Sequence, residues 1–261
     1  VFNGGSTSVG SLTLGNAAGN GVVTVDAGLL EVSSILTVAQ GGSGLLLVQN
    51  GGHVANHVQA NIGFGLGSTG VATVTGAGSL WETSDLFVGF NGMGSMFVLN
   101  GGTVASNQGT VGGFAGSTGI ATVSDPGSQW VLSSVLFVGN NGAGTLNILN
   151  GGTVSTALGT GVGFAAAGPG VIVVDGIGSS LNTASLRIGA QVNGELTVQN
   201  NGAVRVTIET VLGNSAALLQ LLSGGILETL GLVGSSTNIT TNFDGGILRA
   251  KAENKAPGTM T

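Results

Sequence analysis

Leu86-Phe-Val-Gly-Phe-Asn-Gly-Met-Gly-Ser-Met-Phe-Val-Leu-Asn-Gly-Gly-Thr-Val104 returns fifty residues later as Leu136-Phe-Val-Gly-Asn-Asn-Gly-Ala-Gly-Thr-Leu-Asn-Ile-Leu-Asn-Gly-Gly-Thr-Val154. Weaker copies begin at Leu36 and Leu186. Self-similarity at a fixed period is the signature of a solenoid or array.

The fifty-residue unit splits into two related halves. Val88-Gly89, Val138-Gly139 and Ile188-Gly189 open one type; Ile62-Gly63, Gly112-Gly113 and Val162-Gly163 open the other. Each runs through a Gly-rich turn into a short β segment such as Val71-Ala-Thr-Val74 or Ile120-Ala-Thr-Val123. The following turn also alternates. It is Asn-Gly-Gly at 50, 100 and 150, and Gly76-Ala-Gly-Ser79, Asp125-Pro-Gly-Ser128 or Gly176-Ile-Gly-Ser179 in between.

Short apolar runs rich in Val, Ile and Thr, bounded by Gly and Asn-Gly, read as strands and turns. A half-unit of 23–27 residues holds two or three such strands. The fold expected is all-β: a parallel β-helix of about ten coils of 21–27 residues. Coil starts fall at Leu14, Val38, Ile62, Val88, Val111, Val138, Val162, Ile188, Leu212 and Val233. Strand spacing then gives a rod roughly 45–50 Å long. A propeller blade needs about 40–50 residues and four antiparallel strands, which a repeat of about 25 does not supply.

Residues 1–210 hold the regular double repeat, and 211–261 shorter, more aliphatic coils, without a domain boundary between them. Asn50, Asn100, Asn150 and Asn200 suit the left-handed region and could form side-chain ladders. Phe64, Phe114 and Phe164, with Phe87 and Phe137, are expected to stack inside the lumen.

Glycine fills 52 of 261 positions and only 16 residues are charged, yet 42% of the chain is hydrophobic. That apolar fraction argues for a packed core over disorder. Residues 1–186 contain no Lys or Arg; Arg187, Arg205, Arg249, Lys251 and Lys255 all follow. With a net charge of −6, the surface offers little for phosphate neutralisation, so nucleic-acid binding is not expected. No apolar run approaches the roughly 18 residues of a membrane helix, so membrane insertion by this segment is not expected. Cysteine is absent. The chain opens in mid-pattern and reads as a segment of something longer.

Val-Gly-x-x-Gly-x-Gly-x-Leu-x-Ile-x-x-Gly-Gly-x-Val at Val138–Val154 resembles the repeats of bacterial autotransporter (type V secretion) passenger domains. Asn242-Phe-Asp-Gly-Gly-Ile-Leu-Arg-Ala250 resembles a phrase found in such passengers. The resemblance covers nearly the whole chain. It implies a right-handed parallel β-helix, export through the envelope of a Gram-negative bacterium, display at the cell surface and outer membrane or secretion, and roles in adhesion, autoaggregation or biofilm formation. Some members are proteases.

The residues supply no catalytic constellation. His53 and His57 both follow the first Asn-Gly-Gly turn, where Thr103/Asn107 and Thr153/Ala157 stand in later copies. Exposed turn residues are the plainer reading, a metal pair the sharper one. Asp26, Thr75, Ser124 and Asp175 occupy equivalent places two coils apart, too far for paired-carboxylate glycoside chemistry. Trp81 and Trp130 occupy equivalent turns, with Leu181 in the third copy. They either cap the lumen at a corner or contact glycan or protein; the first is preferred.

No cofactor and no metal site are expected, and no catalytic residues. The expected function is a non-enzymatic adhesin or autoaggregation scaffold. Its partner would be a host-surface protein or glycan, or another copy of itself; Trp81, Trp130, His53 and His57 are the binding candidates. The alternatives are a carbohydrate-active β-helix and an inert stalk.

Overall fold

The computed structural model describes residues 1–165, 167–213 and 216–250. The chain winds into stacked coils of three short strands each, and every named strand pairing is parallel. The first ladder has eleven strands, from Phe2–Asn3 through Thr69–Thr75 and Ala143–Leu149 to Ile239–Asp244. The second runs from Ser6–Val9 through Gln129–Leu132 to Ile247–Ala250. The third runs from Leu12–Leu14 through Val135–Val138 to Gly231–Gly234. In two coils the second and third strands are continuous, as Leu80–Val88 and Thr103–Val111. Eleven strands span about 48 Å at the usual ladder spacing.

Nine of the ten sequence-derived coil starts lie in one column of the third ladder, in register from Leu14 to Leu212. The tenth is displaced by one residue. Leu212 pairs with Gly234, and Val233 points outward and is exposed. An apolar residue there mimicked the inward column; a one-residue shift turns a side chain to the opposite face. The ladders continue past residue 210 without interruption, with Gln220 opposite Asn242 and Glu228 opposite Arg249.

Alternate residues point inward, and the inward set is almost wholly apolar. In the first ladder Val25, Val48, Val74, Val98, Val123, Ile148, Val174, Val198 and Leu221 form one buried column. The neighbouring column is large except at two alanines: Leu46, Ala72, Met96, Ala121, Leu146, Ile172. Coils that give Ala to it, at Ala72 and Ala121, give Trp81 and Trp130 from the second ladder. The coil with Ile172 gives Leu181. Close packing fixes the summed volume in each coil, so a large residue on one wall accompanies a small one on another.

Both tryptophans are completely buried in the lumen. Their indole N–H groups differ. Trp130 Nε1 donates to Ser106 Oγ at 3.1 Å, whereas Trp81 Nε1 has no protein partner among the described residues.

The turn chemistry accounts for the fifty-residue period. Asn50, Asn100, Asn150 and Asn200 have φ of 51–53° and sit in the left-handed region. Their side-chain amides do not ladder with one another. They donate one coil back, to Asp26, Thr75, Ser124 and Asp175 at 2.8–3.2 Å. From the next coil, Ser79, Ser128 and Ser179 accept hydrogen bonds from the backbone N–H of Gly51, Gly101 and Gly151 at 3.0–3.1 Å. Each Asn-Gly-Gly turn is therefore held on both sides by a coil of the other type, and the two types must alternate.

The second glycine of each turn has a separate cause. A Cβ on Gly102 would lie 2.5 Å from the carbonyl oxygen of Val74, and one on Gly152 would lie 2.3 Å from that of Val123.

The expectation for the phenylalanines is overturned. Phe87 and Phe137 lie between inward residues, Leu86/Val88 and Leu136/Val138, so strand alternation turns them outward. Phe64, Phe114 and Phe164 follow the coil-start turn and pack with them on the outer surface.

Candidate functional site

The outer face of the third ladder is the most distinctive surface of the molecule. Phe64 stacks on Phe90 with ring centroids 4.8 Å apart, and Phe90 contacts Phe87 at 5.0 Å and Phe114 at 4.6 Å. Further along, Phe137 and Phe164 pack at 4.6 Å. All six rings are partly exposed, and Phe114 reaches 44%. Asn61 and Thr110 occupy the same outward column as Phe87 and Phe137, yet they are almost fully buried. The stripe is thus a second apolar layer laid over the outside of a closed sheet. Isolated surface phenylalanines are ordinary, whereas a contiguous apolar patch marks an interaction surface.

No family model matches the chain, and no curated protein matches it. Among solved structures it is similar to a TibC-catalysed, hyper-glycosylated TibA55-350 fragment, at 19% identity over 97% of each chain with a TM-score of 0.27.

The sequence candidates fall elsewhere. Trp81 and Trp130 are in the core and present no surface to a partner. Complete burial bears out the lumen role preferred from the sequence and removes both from the binding candidates; the Ala72 and Ala121 of the same coils make the room for them. His53 lies on the outer face of the second ladder, opposite Leu29 and Leu80, and its Nε2 is 2.8 Å from Glu82 Oε2. Both groups are substantially exposed, so the pair adds little stability. His57 is exposed in the turn after Asn56.

Asp26 and Asp175 do not converge. Asp26 and Asp175 stand six strands apart in the first ladder, about 29 Å. Each carboxylate instead accepts two amides from the following coil: Asp26 from Gln49 and Asn50, Asp175 from Gln199 and Asn200. The two amides, Asn50 foremost, hold the Asp26 carboxyl below its ordinary value. Among the described residues, no three His, Asp or Glu side chains group so as to hold a metal ion.

The cations are few. Arg205 and Arg249 both pair with Glu228, at 3.4 and 3.0 Å. Arg187 is exposed in the outward column of Phe87 and Phe137 and has no carboxylate within 4.0 Å among the described residues.

Proposed function

We propose that this chain is a surface-displayed or secreted segment of an autotransporter-like passenger that acts as an adhesive or autoaggregating scaffold. The aromatic stripe from Phe64 to Phe164 carries the reading. A rod whose lumen is already closed gains no core from a second apolar layer on its outside, and such a layer suits lateral contact with another surface. The passenger-like repeats support export. Parallel coils can stack one after another as they emerge, each templated by its neighbour.

The test is an adhesion and aggregation assay on cells displaying the parent protein with and without these coils, at matched display. Loss of adhesion on deletion is the expected result. Retained adhesion would make the coils a spacer, and glycan cleavage by the purified chain would overturn the non-enzymatic part of the reading.

A further inference from the structure

Beyond Phe137 the outer face of the third ladder is cut by a notch. The next coil places glycine at both outward positions, Gly159 and Gly161, where its neighbours carry Val135 and Phe137 on one side and Ser185 and Arg187 on the other. The resulting groove has a volume of about 320 Å³. Its walls, Phe137 and Arg187, stand two strands apart, about 10 Å. Phe164 folds over Gly161. A Cβ there would lie 2.7 Å from Phe164 Cδ2 and 3.2 Å from Phe137 Cδ1, so any other residue at 161 would displace the ring. The two rings, tilted by 42°, line the floor and one wall. Ser185 Oγ lies over Gly159, 2.6 Å from where a Cβ would stand, and donates to the Leu158 carbonyl at 3.3 Å, and Glu209 also lines the groove.

We propose that this notch binds a carboxylated pyranoside, a uronic-acid-type sugar, as the chemical partner of the adhesive scaffold proposed above, on which the inference rests. Three features select that class. Arg187 is the first basic residue in the chain and has no carboxylate within 4.0 Å among the described residues, in a chain of net charge −6. A planar guanidinium matches a carboxylate through two parallel hydrogen bonds. The pair of phenylalanines offers an apolar surface to the C–H face of a sugar ring, while the Ser185 oxygen and the Glu209 carboxylate are acceptors to which ring hydroxyls would donate. Glu209 disfavours a multiply charged anion, since a single cation would have to neutralise it beside a carboxylate. A wholly apolar ligand would leave Arg187 without a role.

The test is saturation-transfer NMR and calorimetric titration of the 261-residue chain with methyl glucuronide, methyl glucoside and inorganic phosphate. Saturable glucuronide binding at least tenfold tighter than glucoside is expected, with no competition from phosphate. Arg187→Gln should reduce glucuronide to the glucoside level. Phe164→Ala should weaken both sugars with the circular dichroism spectrum unchanged. Equal binding of the two sugars, phosphate binding as tight as glucuronide, an unaffected Arg187→Gln variant, or no binding at all would each overturn the site. The cell-adhesion assay reports on the scaffold reading separately, because adhesion that persists without glucuronide binding rejects the notch alone.

Discussion

The indole N–H of Trp130 donates to the hydroxyl of Ser106 across one coil boundary, at 3.1 Å inside the lumen. Trp81, in the equivalent place two coils earlier, makes no such bond. Replacing Trp130 by Phe strands a buried hydroxyl, whereas replacing Trp81 by Phe removes an indole N–H that has no protein partner. Trp130→Phe is predicted to be more destabilising than Trp81→Phe by about 1–3 kcal/mol. Thermal and urea midpoints of the two variants check this, and equal losses would contradict it.

Gly109 lies under Trp130. A Cβ on it would stand 2.6 Å from Trp130 Cζ2 and 2.8 Å from Leu132 Cδ2. Gly109→Ala is therefore expected to cost about 1–3 kcal/mol by overpacking. Trp130→Leu, which copies Leu181 of the next repeat, should relieve much of that cost. A double-mutant cycle on the two positions should show a coupling of about 1 kcal/mol or more, and additivity would count against the lumen-volume account.

The serines of the alternate turns supply another test. Ser128→Ala leaves Gly101 N–H without its acceptor at 3.0 Å and should cost about 1 kcal/mol. Ser79→Ala and Ser179→Ala remove equivalent bonds two coils away on either side. Sites that far apart share no partner, so the three losses should add. Hydrogen exchange at Gly51, Gly101 and Gly151 would follow each bond singly. Unchanged protection at all three glycines would contradict the explanation of the fifty-residue period.

Asp26 gives a pH prediction. Hydrogen bonds from Asn50 and then Gln49 lower its pKa from the ordinary 3.8, with desolvation opposing them. A depressed folded-state value means that the carboxylate's stabilising contribution is fully present above the ordinary value and is lost as pH falls through the folded one. The loss should appear below 3.8 and be absent in Asp26→Asn. Thermal melts between about pH 6 and pH 2 compare the two; a parallel decline in both would contradict the assignment.

The rod and its register were legible because Gly follows an inward apolar residue at almost every coil start. That rule placed Leu14 through Leu212 correctly and failed at Val233, where the inward column passes to Gly234. The phenylalanines were misread for a simple reason. Hydrophobicity alone put Phe87 inside, whereas its place between Leu86 and Val88 put it outside, and the period-two geometry prevailed. Asn61 and Thr110 show the converse: polar, in the outward column beside Phe87, and almost fully buried. No local pattern announces such burial, because it depends on neighbouring coils. The notch at Gly159 and Gly161 was equally silent in the sequence, since it is made by missing side chains between Phe137 and Arg187.

The most direct test of the adhesive stripe is a triple variant, Phe87→Ser, Phe90→Ser and Phe114→Ser, in the displayed parent protein. Surface display is measured by antibody and adhesion or aggregation is measured on the same cells. The stripe account predicts display close to wild type with adhesion or aggregation lost. Full adhesion at equal display would contradict it.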